Sequence, residues 1–152
     1  AVRIEYNESL AHRIIAGADI LLMPSRFEPC GLTQLYSLRY GTIPVVCVTG
    51  GLADTVVYAT DTSMQNHTAT GFQFVNASRD HFLAAVNRAV TLFTASKDRW
   101  RSLMRTAMKQ DFCWARSAEQ YRIVYMDASD ARTAGNHADF ALKKGKNGGK
   151  NQ

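Results

Sequence analysis

The segment between two short apolar runs constrains the fold more than any other part of this sequence. Ile20–Met23 and Val45–Val48 are each four apolar residues long, which is typical of buried strands. The segment between them carries apolar residues at helical spacing, at Leu32, Leu35, Tyr36 and Leu38. Gly41 is placed to end this helix. The order strand, loop, helix, strand predicts one unit of a parallel sheet, and its loop lies at the edge where open α/β sheets bind ligands.

The loop before this helix offers two kinds of ligand-binding group. The backbone N–H groups of Gly31, Leu32 and Thr33 would be free at a helix N-terminus, where they can bind a phosphate. Gly31 lacks a Cβ, and the hydroxyl of Thr33 adds a donor. Glu28, when ionised, only accepts hydrogen bonds, which suits sugar hydroxyls. The alternative interpretation is an ordinary strand–helix turn with a solvated Glu28.

Three consecutive motifs make a family resemblance specific. They are Pro-Ser-Arg-Phe-Glu-Pro-Cys-Gly-Leu-Thr-Gln at 24–34, Tyr-Gly-Thr-Ile-Pro-Val-Val at 40–46 and Thr-Gly-Gly-Leu-Ala-Asp-Thr-Val at 49–56. Together they closely resemble the glycogen and starch synthases that use ADP-glucose, above all the bacterial glycogen synthases. The resemblance covers Tyr6 to about Tyr125. It implies an α/β fold with a Rossmann-like parallel sheet, the C-terminal half of a two-domain retaining glycosyltransferase of the GT-B type.

The resemblance also implies roles for residues in the loop after the first strand. Glu28 would hold glucose hydroxyls and is the expected catalytic residue, whereas Gly31, Leu32 and Thr33 would hold the donor phosphates. Cys30 would line the glucose pocket. A cysteine beside a helix N-terminus can also act as a nucleophile, but we do not expect a thiolate mechanism here.

Further expected contacts come from other loops. The resemblance places Tyr6 against the adenine, although a half-buried tyrosine at a strand end is the alternative. It places Gly50 and Gly51 near the glucose and the phosphates, where paired glycines leave room for a close ligand or a tight turn. Asp54 is expected at the start of a helix and not as a catalyst.

Three positions depart from the pattern of related enzymes. Tyr36 stands where related glycosyltransferases carry a second glutamate directed at the ribose, so no ribose-binding carboxylate is expected. Cys47 and Val48 stand where basic residues are common, which removes positive charge near the expected site.

The distribution of charge argues against nucleic acid as a partner of the folded part. The chain of 152 residues carries a net charge of +5, and residues 131–152 alone account for +4 of it. Cys30, Cys47 and Cys113 make an odd number without metal-ligand spacing, which favours reduced thiols in an intracellular protein and no metal site. No apolar stretch approaches membrane-spanning length.

The rest of the chain is predicted from periodicity. We expect a short strand at 2–6, a helix over 8–16, a polar loop at 59–70, a strand at 71–75 and three further helices between Ser78 and about 125. Residues 1–128 would form one donor-nucleotide-binding domain, incomplete at its N-terminus. Residues 129–152 would form a disordered basic tail. Trp114 and the tyrosines of the last helix could brace another domain or pack in a core.

The resulting functional hypothesis is a piece of a glycogen or starch synthase. The parent protein would transfer glucose from ADP-glucose to the non-reducing end of an α-1,4-glucan, with retention and without a cofactor. Its partners would be the donor, the glucan and an N-terminal domain of the same protein that this chain lacks, so the chain alone should be inactive. The expected location is the bacterial cytoplasm, or alternatively a plastid. A non-catalytic nucleotide-sugar-binding module and an inactive structural or interaction segment are the alternatives.

Overall fold

The structure is a computed structural model that describes residues 2–147, and the side chains of residues 2–132. It divides the chain into two compact units, residues 1–110 and residues 111–152. The first unit contains a sheet and six helices among its described residues, and the second contains one long helix.

The helices and strands alternate through most of the first unit. In chain order they are α1 Glu8–Ala16, β1 Ile20–Met23, α2 Thr33–Tyr40, β2 Ile43–Cys47, α3 Gly50–Thr55, α4 Asp61–Gln65, β3 Phe72–Phe74, α5 Arg79–Ala95 and α6 Lys97–Met108. The second unit contains α7, Trp114–Asn147.

The three strands form one parallel sheet in the order β1, β2, β3. In β1 and β2, Ile20 pairs with Ile43 and Met23 pairs with Val46, and both strands run in the same direction. The parallel α/β arrangement predicted from the sequence is therefore confirmed. Because the strands are parallel, the loops after β1 and β2 emerge at the same edge of the sheet.

The central strand β2 is buried on both faces, and its side chains alternate between two cores. Val45 and Cys47 face a core that includes Trp100 and Leu103 of α6 and the aromatic residues of β3. Val46 faces the opposite side, with Met23, Leu52 of α3 and Val56. Helices thus cover both faces, as expected for a parallel sheet.

Local capping signals set several helix boundaries where the sequence predicted them. Asn7 accepts a hydrogen bond from the backbone N–H of Leu10 at 2.9 Å and caps α1. Gly41 follows α2 in the left-handed region at φ 78°, a conformation that glycine adopts without steric cost. Ser78 caps α5 through the backbone N–H of His81.

Two predictions near the ends of the sheet are wrong. Residues 2–6 form no strand, because a strand needs a hydrogen-bonded neighbour and Val2 and Ile4 remain exposed. The stretch at 59–70 is not simply a loop. It contains α4, which begins with a reciprocal capping box between Thr60 and Ser63.

Asp54 lies in the last turn of α3, whereas the sequence predicted it at a helix start. The helix begins earlier, at Gly50, with Thr49 in extended conformation before it. In α1, Ile15 is buried, whereas Ile14 is 54% exposed because it turns away from the covered side of the helix.

The second unit differs from the expected tail. Disorder was predicted from residue 129, but α7 continues through that position to Asn147. This stretch contains several alanines, which have the highest intrinsic helix propensity, so helical backbone does not require the apolar periodicity whose loss suggested disorder. Residues 148–152 lie outside the described residues. The domain boundary at 128 stays a prediction.

Candidate functional site

Two loops meet at the carboxyl edge of the sheet. The loop after β1 contains Glu28 and Cys30, and the short loop after β2 leads into Gly50 and Gly51 at the start of α3. The backbone N–H of Gly51 donates a hydrogen bond to the carbonyl oxygen of Glu28 at 3.1 Å. The structure therefore brings together, backbone to backbone, two segments that the sequence assigned to one site.

The paired glycines are required by this contact. Gly50 has φ 42°, in the left-handed region, and a Cβ there would overlap the carbonyl oxygen of Glu28. A Cβ on Gly51 would overlap the carbonyl group of Cys30. The sequence predicted that these glycines leave room for a ligand or a tight turn. In the structure, the backbone of the first loop fills that room.

The start of α2 provides the predicted backbone donors. The helix begins at Thr33, and Leu32 precedes it with no side chain capping the helix end. Within the described chain, the backbone N–H groups of Gly31, Leu32 and Thr33 donate no hydrogen bond. Leu32 and Thr33 are exposed, so a ligand can approach these N–H groups.

Glu28 is half-buried beside these donors. Its carboxylate makes no ion pair and no hydrogen bond with other described side chains, so its oxygens are available as acceptors. Arg26 and Cys30 are exposed in the same loop, and Cys30 is a free thiol. The loop after β1 therefore carries both hydrogen-bond donors and acceptors at this edge.

Tyr6 is not brought into this group of residues. It lies just before the capping residue Asn7 and is 93% exposed, with no ring contact among the described residues. Its exposed ring is free to stack on a planar ligand, but its role remains a prediction.

Cys47 and Val48, where basic residues were noted as common, differ in exposure. Cys47 is 5% exposed and belongs to the core between the sheet and α5 and α6. Its side chain therefore does not face the site. Val48 is 37% exposed at the end of β2, so only this position leaves a place for an exposed charge.

Two features of the site were missed by sequence reasoning. Gln34 is completely buried beneath the loop after β1, although glutamine is usually exposed. His12 of α1 contacts Tyr36, with ring centroids 4.5 Å apart, and its Nδ1 lies 3.0 Å from the hydroxyl oxygen of Tyr40. Tyr36 is thus held against α1. No local pattern predicts either contact, because each joins separate elements.

The described residues include neither a cluster of metal-binding side chains nor a membrane-spanning helix. In that part of the chain no group of three or more His, Cys, Asp or Glu side chains could hold a metal ion. None of the described helices is long and apolar enough to cross a membrane.

The chain has close relatives among known proteins. It is 55% identical over 126 residues to a glycogen synthase of Actinobacillus pleuropneumoniae, a match that covers 83% of this chain and 26% of the relative. It is 52% identical over 124 residues to glycogen synthase 2 of Nitrosococcus oceani, covering 82% of this chain and 25% of the relative. The chain therefore spans about a quarter of the length of these relatives. No family model matches the sequence.

A solved structure gives the same result for the fold. The catalytic domain of starch synthase IV from Arabidopsis thaliana, bound to ADP and acarbose, matches with a TM-score of 0.74 and 39% identity. The match covers 82% of this chain and 25% of that structure. The predicted resemblance to glycogen and starch synthases is therefore confirmed, for a segment about a quarter as long as those proteins.

Proposed function

We propose that this chain forms the ADP-glucose-binding part of a retaining glucosyltransferase that lengthens an α-1,4-glucan. One observation carries the proposal. The backbone N–H groups at the start of α2 and the carboxylate of Glu28 lie at one edge of a parallel sheet, and neither has a hydrogen-bond partner among the described residues. The first group suits a diphosphate and the second suits sugar hydroxyls. The similarity to glycogen synthases supports this choice of ligand.

Each predicted site residue takes a role in the proposal. The N–H groups of Gly31, Leu32 and Thr33 bind the donor diphosphate. Glu28 accepts hydrogen bonds from the glucose and acts as the catalytic residue, because a charged hydrogen bond at the reacting sugar can strengthen in the transition state. The remaining residues line the donor, and they are Tyr6 at the adenine, with Cys30, Gly50 and Gly51 at the glucose and phosphates.

Transfer also requires positive charge at the departing ADP, since electrostatic stabilisation of the leaving group is a large part of catalysis. The loop after β1 carries one exposed cation, Arg26. We therefore propose that another domain of the same protein supplies the remaining cations and the glucan site. The protein would act in the bacterial cytoplasm, with a plastid as the alternative, and its other partner would be glycogen or starch.

The proposal is tested first on this chain by calorimetric titration with ADP-glucose and with ADP. We expect both to bind, and we expect Glu28→Ala to weaken ADP-glucose binding by about tenfold or more while ADP binding changes little, since a lost charged hydrogen bond costs about 1.5–3 kcal/mol. Asp54→Ala, which removes an exposed carboxylate from α3, is the matched control and should change neither affinity. Equal losses for both ligands in Glu28→Ala would show that Glu28 contacts the nucleotide.

Turnover separates the enzyme from the alternative of a non-catalytic binding module. The chain alone should not incorporate glucose into glycogen, and clear incorporation would contradict the need for a second domain. In the full-length protein, Glu28→Ala should lower turnover about ten- to a hundredfold. A full-length protein that binds ADP-glucose but transfers no glucose would establish the binding module instead.

A further inference from the structure

We propose that Gln34 and Thr55 are positioning residues that hold the two loops as one donor-binding surface. This inference rests on the proposed function. It concerns how the backbone N–H groups that bind the phosphates are oriented, which neither the resemblance nor the motifs specify.

The carboxamide of Gln34 lies directly under the first loop. Its Nε2 donates to the carbonyl oxygens of Cys30 and Gly31, each at 3.0 Å, and to Oγ1 of Thr55 at 3.2 Å. The side chain is completely buried. A Cβ on Gly31 would overlap the carboxamide, so the lack of a side chain at this position serves the packing of Gln34 as well as any ligand.

The orientation of the carboxamide follows from its neighbours. Two of the three groups around Nε2 are carbonyl oxygens, which only accept hydrogen bonds. The third, Oγ1 of Thr55, uses its own proton to donate to the carbonyl oxygen of Gly51 at 2.6 Å. The NH₂ group must therefore face these oxygens, and Oε1 takes the opposite position, where it has no partner among the described residues.

Because of the geometry of the peptide unit, the contacts of Gln34 fix the direction of two backbone N–H groups. In a planar trans peptide, the C=O and the N–H of the same unit point in opposite directions. Gln34 binds the carbonyl groups of Cys30 and Gly31, so the N–H groups of Gly31 and Leu32 must point away from it. Gly31 has φ 72° and Leu32 has right-handed backbone angles, and such alternating conformations place successive N–H groups in a concave anion-binding nest.

Thr55 joins this nest to the second loop. It donates to the carbonyl oxygen of Gly51, whose N–H in turn donates to the carbonyl oxygen of Glu28. One chain of hydrogen bonds therefore runs from the backbone of the first loop through Gln34 and Thr55 to Gly51 and back to Glu28. Loss of one member should misdirect the N–H groups and also loosen the backbone next to the sugar acceptor.

The test uses this chain with ADP, ADP-glucose and inorganic pyrophosphate as probes, titrated while backbone amides are followed by NMR. Gln34→Leu should weaken ADP and pyrophosphate binding about tenfold, because the N–H groups of Gly31 and Leu32 are no longer held in the binding orientation. Thr55→Val should weaken binding less than Gln34→Leu does. Thr55→Ser keeps the hydroxyl and should bind as tightly as the unchanged chain. The double variant should bind no worse than Gln34→Leu, because both residues act in one chain of hydrogen bonds.

A matched control separates the orientation of the phosphate-binding N–H groups from a general effect on stability. Gln73 of β3 also donates from a partly buried carboxamide, to the carbonyl oxygen of Val56 at 2.6 Å. Gln73→Leu should lower the melting temperature without changing pyrophosphate affinity. In Gln34→Leu and Thr55→Val, but not in Gln73→Leu, the amide signals of Gly31 and Leu32 should shift.

The possible outcomes distinguish this inference from the function on which it rests. If Gln34→Leu lowers the melting temperature but binds all three probes as tightly as the unchanged chain, the positioning role is wrong and the donor site stands. If Gln34→Leu weakens pyrophosphate binding but the unchanged chain binds neither ADP-glucose nor ADP, the positioning role stands and the proposed donor is wrong. If the unchanged chain binds none of the probes, both are overturned.

Discussion

The carboxyl edge of the sheet and the layer formed by α5 and α6 are held in place by different interactions. In the layer, the ring of Trp100 packs against Phe72 and Phe93, with ring centroids 6.5 and 5.2 Å away. At the edge, Gly50 and Gly51 lie against backbone atoms of the preceding loop. The layer is ordered by burial of large apolar side chains, whereas the edge is ordered by direct backbone contact and by one buried carboxamide.

This difference predicts different responses to mutation. Apolar cores tolerate changes of shape when volume is kept, because neighbouring side chains can rearrange. Two backbones in contact cannot make room for one extra carbon without separating. We therefore expect changes in the layer to alter stability alone and changes at the edge to alter ligand binding as well.

The largest expected effect on stability is in the layer. Trp100 is 2% exposed, and Trp100→Ala should lower the free energy of unfolding by about 3–5 kcal/mol, the usual cost of a large core truncation. ADP affinity, measured well below the melting temperature, should not change. Urea unfolding followed by circular dichroism gives the first quantity and calorimetry gives the second.

Trp100→Phe sharpens this result. The indole Nε1 of Trp100 is buried without a partner in the described part of the chain, so phenylalanine removes a polar group whose burial is costly. We expect a loss well below that of Trp100→Ala. Equal losses in the two variants would mean that packing against Phe93 contributes little.

At the edge, Gly51→Ala should lower both the free energy of unfolding and the affinity for ADP. The added methyl group would overlap the carbonyl group of Cys30, so the two loops must separate. We expect a loss of about 2–3 kcal/mol in unfolding free energy, within the range for strained backbone sites, and a fall in ADP affinity of about tenfold or more. Calorimetry on the purified variant measures the affinity.

Gly17→Ala is the control for this change. Gly17 follows α1 with φ −93°, and a Cβ there would lie 3.3 Å from the carbonyl oxygen of Arg13, so a small shift accommodates it. Its effect should stay below about 1 kcal/mol, without a change in ADP affinity. If Gly51→Ala behaves like Gly17→Ala, the two loops are not held by backbone contact.

The same contrast shows how much could be predicted from the sequence. The starts of α1 and α5 follow from Asn7 and Ser78, since a cap acts within three residues of itself. The strands β1 and β2 follow from their apolar runs. Local signals therefore predicted the strand–loop–helix–strand unit that contains the candidate site.

The missed features depend on contacts between distant segments. Gln34 lies inside a recognised motif, but its burial becomes evident only when the loops after β1 and β2 meet. The sequence likewise predicted room at Gly50 and Gly51 without showing that backbone fills it. The helix α4 was missed for another reason, since its five residues have no apolar periodicity and depend on the capping box of Thr60 and Ser63.

The smallest expected effect lies in the second unit, where an exposed side chain, Asp111, stabilises the turn before α7. Oδ1 of Asp111 accepts a hydrogen bond from the backbone N–H of Cys113 at 2.9 Å. Hydrogen bonds from Cys113, with a smaller contribution from the charge of Arg116, lower the pKa of Asp111 below its ordinary value of 3.8. Because the folded pKa is the lower one, the stabilisation is present above the unfolded pKa and is lost as the pH falls through the folded pKa.

An NMR titration of the Asp111 carboxyl group should therefore give a midpoint below 3.8, with the signal of the Cys113 amide following the same curve. Asp111→Asn keeps an acceptor oxygen but does not titrate, so the Cys113 amide should then be insensitive to pH in this range. The change in overall stability should be slight, since the group is exposed and water competes for the carboxylate. A midpoint at the ordinary pKa would show that the turn before α7 does not depend on the Asp111 side chain.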